Sequence, residues 1–188
     1  MLVKLFYSLG APLSKVRFFN YSNFMKQLQT TRNINQIVIH CSDTEEHQDF
    51  SVSDIDLWHK RRGWRCVGYH FVIPLSGKLE EGRPLSEPGA HALHYNQHSI
   101  GICYIGGVRR NRPADTRTPA QRLQMEIIVK ELLKHYPEAK VCGHRDLSED
   151  LDGNGVVSSG EWQKTCPNFD VSEWARSVGI PSKNILIQ

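Results

Sequence analysis

The amino-acid sequence predicts an α/β fold, built as a single domain with a central mixed β-sheet flanked by helices. Short β-branched runs alternate along the chain with segments that begin with helix-capping residues, and this alternation is typical of α/β proteins. The 188 residues suffice for one domain with a substantial apolar core, and no internal repeat or second core is visible. We expect this domain to span residues 34–180, between an N-terminal extension (1–33) and a C-terminal tail (181–188).

The first half of the domain is predicted to contain a strand, a helix and a hairpin. The β-branched run at residues 36–40 predicts a buried strand. Residues 51–62 begin with a serine that can cap a helix, and they are followed by a glycine that can close it. Residues 69–74 predict a second strand, which a Ser-Gly turn connects to an antiparallel partner at residues 78–80.

The second half is predicted to contain a strand, a long helix, a short strand and a closing helix. These elements occupy residues 99–105, 118–136, 140–143 and 170–178, with irregular connections at 82–95 and 108–117. The long helix begins with a threonine N-cap, a proline at its first position and a capping-box glutamine. Its predicted apolar face consists of Leu123, Ile127, Ile128, Leu132 and Leu133.

The composition indicates a globular protein that neither spans a membrane nor binds nucleic acid. The net charge is only +3, and no basic run with interleaved aromatic residues is present. No stretch approaches the roughly 18 apolar residues of a membrane helix. The extension offers no convincing signal peptide, because polar residues interrupt its apolar residues and no small-residue cleavage site follows. We therefore expect synthesis in the cytoplasm, and we expect a monomer.

Three side chains have the donor chemistry of a zinc site. His40 and His144 each follow an apolar run, and Cys166 lies in a polar loop before a proline. Two imidazoles and one thiolate leave the fourth position of a tetrahedral Zn²⁺ open for water. Spacing does not decide the matter, because the three residues are distant in sequence. A histidine at a strand end is equally compatible with a packed core residue, so both interpretations stay open at this point.

Nine motifs occur in the same order as in a known enzyme family. They are IVIHCS (37–42), WHK (58–60), GW (63–64), VGYHF (67–71), HSIGI (98–102), GG (106–107), TPAQ (118–121), GHRD (143–146) and KTCPNFD (164–170). Taken together, over residues 35–177, they resemble the type 2, zinc-dependent N-acetylmuramoyl-L-alanine amidases, a family that includes phage lysozymes and peptidoglycan recognition proteins.

The resemblance implies a hydrolase that cleaves the amide bond between N-acetylmuramic acid and L-alanine in cell-wall peptidoglycan or its fragments. It implies a Zn²⁺ cofactor held by His40, His144 and Cys166. Tyr69 matches the family's assisting tyrosine, and Lys164 matches the active-site lysine of the phage lysozymes. The positions that are predicted to contact substrate are Trp64, His91 and Asn96 in the groove, with Arg83 predicted to meet a stem-peptide carboxylate.

Two other functions stay open. The first is a module that binds muropeptides without cleaving them. Cys166 argues against it, because family members that lack this cysteine resemble binding proteins. The second is a regulator that binds a protein partner, although the sequence identifies no such partner. Without the resemblance, Lys164 is equally compatible with a solvated loop cation, and Tyr69 with a strand tyrosine whose hydroxyl lies at the rim.

The segment between the second histidine and the cysteine is longer than in the phage lysozymes and contains a calcium-loop pattern. Over residues 150–161, oxygen-bearing side chains occupy the first, third and fifth positions, with Gly at the sixth and Glu at the twelfth. The predicted Ca²⁺ ligands are Asp150, Asp152, Asn154 and Glu161. A surface Asp/Gly turn fits the same residues, and the flanks do not predict two long helices. A calcium titration of the melting temperature distinguishes the two interpretations.

Overall fold

A computed structural model describes residues 28–186, in which strands and helices interleave. The strands are β1 (Gln36–Cys41), β2 (Thr44–Glu45), β3 (Phe71–Ile73), β4 (Glu80–Glu81), β5 (Ser99–Tyr104), β6 (Gly107–Arg109), β7 (Arg112–Pro113) and β8 (Lys140–Gly143). The helices are α1 (Val52–Arg61), α2 (Pro119–His135) and α3 (Val171–Ser177), with 3₁₀ turns at Asn96–His98, Arg145–Leu147 and Ser182–Asn184. No helix within this part of the chain is long and apolar enough to cross a membrane.

The central sheet is mixed, with strand order β4-β3-β5-β1-β8. Strands β3, β5, β1 and β8 run parallel, while β4 pairs with β3 in the antiparallel direction. Parallel neighbours need long crossover connections, and α1 and α2 lie within two of them. The predicted α/β fold with a mixed sheet is therefore confirmed. All four parallel strands also end at the same edge of the sheet, which is where ligands bind in such folds.

The side chains of β1 alternate between the two faces of the sheet. Ile37 and Ile39 point into the larger core, to which α2 and α3 contribute. Each of these isoleucines is fully buried, which is worth roughly 1.5–3 kcal/mol relative to an exposed side chain. Val38 and His40 therefore lie on the opposite face, where Ile55 of α1 belongs to a smaller apolar cluster. The two-residue alternation of the strand thus places His40 on the face that α1 covers.

The two longer helices begin at the predicted capping residues. Ser51 and Asp54 cap α1 reciprocally, with hydrogen bonds of 3.4 and 2.8 Å. Thr118 and Gln121 form the same arrangement on α2, at 3.1 and 2.9 Å. Gln121 is also fully buried, and its Nε2 donates to the carbonyl of Ile73 and to that of the residue after β5, each at 2.9 Å. The first turn of α2 is therefore tied to the sheet as well as capped.

The buried face of α2 differs from the predicted one. Leu123 and Ile127 were predicted to face the core, but 44% and 37% of their surface is exposed. Met125 and Val129 are fully buried in their place, together with Ile128 and Leu132, which were both correctly predicted. The prediction was wrong because the helix carries apolar residues over more than one face, so periodicity alone did not fix its rotation.

A second, small sheet of order β2-β6-β7 was not predicted. Residues 108–117 were expected to form a polar loop, yet they contain most of the β6–β7 hairpin. Its strands are only two or three residues long, which is too short for an alternating pattern to show. The carboxylate of Glu45 in β2 accepts the backbone N–H groups of Arg110 and Asn111 and so closes the hairpin turn.

In the central sheet, β3 is also shorter than predicted, and β4 begins two residues later than predicted.

The folded unit reaches beyond residues 34–180 at both ends. Leu28 is fully buried in the larger core. The guanidinium of Arg32 donates to the carbonyl oxygens of Leu85, Glu87, Asn96, Gln97 and Ser99. At the other end, Ile185 is buried and forms a parallel bridge with Val141 of β8. Residues 1–27 of the predicted extension and the last two residues of the predicted tail lie outside the described residues.

Gln121 provides a test of how α2 is attached to the sheet. We expect Gln121→Leu to lower the free energy of unfolding by about 1–3 kcal/mol, because the buried carbonyl of Ile105 would lose its side-chain donor while that of Ile73 keeps the Ile105 N–H. Denaturant-induced unfolding measures this loss. The half-buried Gln124, replaced by Leu in the same helix, is the control and should change stability by less than about 0.5 kcal/mol. Equal losses in both variants would contradict the attachment role.

Candidate metal centre

Two histidines and one cysteine converge at the edge where the parallel strands end. His40 lies near the end of β1, His144 directly follows β8, and Cys166 lies in the loop before α3. One ligand atom from each lies within 4.8 Å of the other two. The Nδ1 atom of His40 is 3.8 Å from the sulfur of Cys166, and the two imidazole centroids are 4.7 Å apart. The structure therefore brings together three residues that are up to 126 positions apart in sequence.

The pairing of β1 with β8 places the two imidazoles side by side. The strands are parallel, with Ile39 opposite Gly143, so the next residue of each strand is a histidine. The His144 N–H donates to the Ile39 carbonyl at 3.1 Å, which continues the hydrogen-bond ladder by one more step. The backbone pairing of β1 with β8 therefore fixes the separation of His40 and His144.

Hydrogen bonds from the core hold the loop that carries the cysteine. The buried Tyr104 hydroxyl donates to the carbonyl of Pro167 at 2.7 Å, and the Arg145 N–H donates to that of Cys166 at 2.8 Å. Gly143 permits the close approach of this loop, because a Cβ atom there would lie 2.7 Å from the Cδ of Pro167. The loop thus packs directly on the end of β8.

Burial keeps both imidazoles neutral at physiological pH. His40 is 1% exposed, and desolvation holds its pKa well below the ordinary value. Desolvation, with a smaller contribution from the positive charge of Lys164, lowers the pKa of His144 to about 4. A hydrogen bond with the Cys41 thiol and burial both raise the pKa of the Cys166 thiol. The Cys41 N–H opposes them by donating to the Cys166 sulfur at 3.3 Å, a contact that favours the thiolate.

This donor set fits a zinc ion. Neutral imidazole and thiolate are the forms that ligate metals, and nitrogen and sulfur donors suit Zn²⁺, whereas Mg²⁺ and Ca²⁺ prefer oxygen. Three protein donors that meet near the surface also leave one position for water or substrate. The chemistry of the three residues therefore agrees with the ligand set that the sequence resemblance implied.

Tyr69 and Lys164 lie beside the donor residues. The half-buried ring of Tyr69 is 5.2 Å from that of His40, centroid to centroid, and burial raises the pKa of its phenol well above the ordinary value. Lys164 is exposed two residues before Cys166, and its charge contributes to the lowered pKa of both histidines. Both residues thus lie near the three donors, and their part in the reaction stays a prediction.

Trp64 and Arg83 differ in how much of the side chain is free for a ligand. Trp64 is 40% exposed, and its ring packs against that of His59 at a centroid distance of 4.5 Å. The Arg83 guanidinium instead donates to the carbonyls of Cys66, Val67 and Pro88. Arg83 therefore ties two loops together, and its predicted contact with a stem-peptide carboxylate stays a prediction.

His91 and Asn96 make contacts that were not predicted from the sequence. His91 is 8% exposed, and its Nδ1 lies 3.0 Å from the Nε2 of His40. The side-chain oxygen of Asn96 accepts the N–H groups of His91 and Ala92, at 2.8 and 3.0 Å. Substrate contact by either residue stays a prediction. One available signal was Gly101, because an isolated glycine within a strand often marks the close approach of another group, here the His91 ring.

The loop at residues 150–161 has the turn geometry of its sequence pattern. Carboxylate oxygens of Asp150, Asp152 and Glu161 lie within 4.8 Å of one another. They accept backbone N–H groups of the same loop, including those of Gly153 and Gly155 on Asp150. Hydrogen bonds of this kind also form in a surface Asp/Gly turn, so calcium binding, with Asn154 as a further ligand, stays a prediction.

The fold and the site together define a class of protein. Two imidazoles and a thiol at the carboxyl edge of a mixed sheet are typical of hydrolases that use a single metal ion with an open position. A family model described as N-acetylmuramoyl-L-alanine amidase matches residues 30–169. The chain therefore belongs to the N-acetylmuramoyl-L-alanine amidase family of peptidoglycan hydrolases.

Individual relatives agree with this assignment. The endolysin of Enterobacteria phage K11 is 34% identical over 155 residues, which cover 82% of this chain and 91% of the endolysin. The endolysin of Escherichia phage T7 is 34% identical over 149 residues, covering 79% and 89% of the two chains. The solved structure of the N-acetylmuramoyl-L-alanine amidase LysC from Clostridium intestinale URNW superposes with a TM-score of 0.62 at 28% identity, over 80% of this chain and 88% of that one.

Tyr104 provides a test of how the cysteine loop is held. We expect Tyr104→Phe to destabilise the protein by about 1–3 kcal/mol, because the buried Pro167 carbonyl loses its donor. Hydrogen exchange should show the loss concentrated in the amides around Cys166. Tyr136→Phe is the matched control, because it removes a phenol-to-carbonyl bond of the same 2.7 Å length to Leu28. Faster exchange around Cys166 in both variants, or in neither, would contradict this role.

Proposed function

We propose that this amidase hydrolyses the bond between N-acetylmuramic acid and L-alanine with a Zn²⁺ ion held by His40, His144 and Cys166. The convergence of these three donors within 4.8 Å, in a chain of the amidase family, is the observation that carries the proposal. When bound, Zn²⁺ supplies a Lewis acid for the scissile carbonyl and lowers the pKa of water towards roughly 7.

Tyr69 is proposed to donate a hydrogen bond to the substrate. A phenol is protonated at neutral pH and has one O–H to donate. Tyr69 packs against the smaller apolar cluster that contains Ile55 of α1, and its ring lies 5.2 Å from that of His40, so packing on both sides sets its position. A donor fixed in this way stabilises the carbonyl oxygen as that oxygen gains negative charge.

Lys164, on the loop that carries Cys166, is proposed to stabilise the same negative charge on the carbonyl oxygen. Its ammonium is exposed, and its positive charge contributes to the lowered pKa of both histidines. A cation near a developing oxyanion lowers the barrier most where substrate excludes water. Hydrolysis places the hydroxyl of water on the muramic acid carbonyl carbon and the proton on the alanine nitrogen, which leaves with the stem peptide.

Cys166 distinguishes this function from simple muropeptide binding. Its sulfur lies within 4.8 Å of a ring nitrogen of each histidine, so the chain has all three donors of the proposed site. A module that only holds muropeptides has no need of a ligating thiol at this position. The cell-wall substrate of the amidase family, and not a protein partner, is therefore the ligand that we assign to the site.

Removing the thiol tests the metal site and the reaction together. We expect wild-type protein to bind one Zn²⁺ per chain and to release stem peptide from muropeptides. Cys166→Ala should lose both properties by more than the roughly 10–100-fold that loss of an outer-shell partner costs. The buried, free Cys142, replaced by Ala, is the control and should retain both. Zinc binding without cleavage in the wild type would favour the binding module instead.

Tyr69→Phe tests the hydrogen-bond donor separately from the metal. Because only the hydroxyl is removed, zinc content should stay unchanged while kcat falls by about 10²–10³-fold, as for the loss of one oxyanion donor. Steady-state kinetics on a soluble muropeptide measure this effect. Tyr95→Phe, in the half-buried loop segment before β5, is the control. An unchanged kcat in Tyr69→Phe would show that the hydroxyl takes no part.

A further inference from the structure

The imidazole of His40 uses both of its ring nitrogens. Its Nδ1 faces the sulfur of Cys166 at 3.8 Å, and its Nε2 lies 3.0 Å from the Nδ1 of His91. The two rings meet edge to face, with centroids 5.0 Å apart and an interplanar angle of 79°. Because His40 and His91 are 1% and 8% exposed, solvent has little access to this contact.

The contact has a defined direction once His40 serves as a metal ligand through Nδ1. A ligating nitrogen carries no proton, so a neutral His40 carries its proton on Nε2. That N–H then donates to His91, whose Nδ1 must be the acceptor and whose own proton is on Nε2. The His91 Nε2 lies 3.4 Å from the hydroxyl of the fully buried Ser99, which provides an oxygen for that proton.

The ring of His91 has little freedom to leave this position. A Cβ atom on Gly101 would lie 2.5 Å from its Cδ2, and one on Gly89 would lie 2.3 Å from the same atom. Both glycines therefore leave space that the imidazole fills. The side chain of Asn96 holds the backbone by accepting the N–H of His91 at 2.8 Å.

We propose that His91 is a positioning residue for the metal centre: it accepts the Nε2–H of His40 and so holds that imidazole in the tautomer and orientation that present Nδ1 to Zn²⁺. This inference rests on the proposed zinc site. Metal-ligating histidines commonly donate their second ring N–H to a carboxylate, carbonyl or water. Here a second imidazole takes that place.

Two variants separate hydrogen bonding from packing. In His91→Asn, the side-chain oxygen takes the place of the Nδ1 atom, because both are bonded to Cγ, and it can accept the same proton. In His91→Leu, a side chain of similar size offers no acceptor. We expect the Leu variant to lose about 10–100-fold in zinc affinity and the Asn variant to retain most of it.

Zinc affinity is measured by competition with a chromophoric chelator, and the melting temperature of each metal-free protein is measured beside it. A packing role would lower the melting temperature of both variants and leave zinc affinity unchanged, which would overturn the proposal. Equal loss of affinity in the Asn and Leu variants would overturn it as well. If the wild type binds zinc no better than Cys166→Ala does, the proposed function itself fails, and that outcome is distinct from the others.

Nuclear magnetic resonance on the zinc-loaded wild type gives a test that needs no variant at His91. Long-range proton–nitrogen spectra of the imidazoles report which nitrogen of each ring carries the proton. We expect His40 and His91 both to be protonated on Nε2. A proton on Nδ1 of His91 would remove the acceptor and overturn the proposal even if the Leu variant does not fold.

Discussion

The parallel pairing of β1 with β8 is the constraint on which the metal centre depends. With Ile39 opposite Gly143, the backbone ladder brings the next residue of each strand to the same edge. The same register places Gly143 against Pro167, whose ring would collide with any larger side chain there. A slip of β8 by one residue would turn His144 to the face opposite His40 and place a larger side chain where Gly143 now leaves space for the cysteine loop. One backbone register therefore sets the positions of all three donors.

The His40 imidazole is compatible with its burial because each of its ring nitrogens has a polar neighbour. His40 projects from a strand whose other face is packed with isoleucine, and an unpaired imidazole there would cost about 1–3 kcal/mol. Its Nε2 meets His91, and its Nδ1 faces Cys166. His40, His91 and Ser99 thus form a buried chain of polar contacts on the face of the sheet opposite the larger core.

The features that could be predicted from the sequence are strands with a β-branched run and helices with capping residues. The β-branched run of β1, the capping boxes of α1 and α2 and the short strand before His144 all have local signals, and the structure contains each of them. The donor set needed the resemblance to a family, because no spacing rule connects His40 to Cys166. The β6–β7 hairpin and the rotation of α2 depend on pairing and packing between distant segments. For the same reason, the role of His91 became visible only when Gly101 and His40 were seen on either side of it.

The two ends of the cysteine loop differ in how firmly they are held. On the side towards α3, Arg117 lies 3.1 Å from the ring centroid of Phe169, is 2% exposed and forms a 2.9 Å ion pair with Asp115. A cation buried between an aromatic face and a carboxylate is costly to displace, so this end of the loop is fixed. On the other side, Lys164 is exposed, with no ion pair among the described residues. Cys166 lies between the two ends, so the core holds the proposed ligand while the proposed catalytic Lys164 extends into solvent beside it.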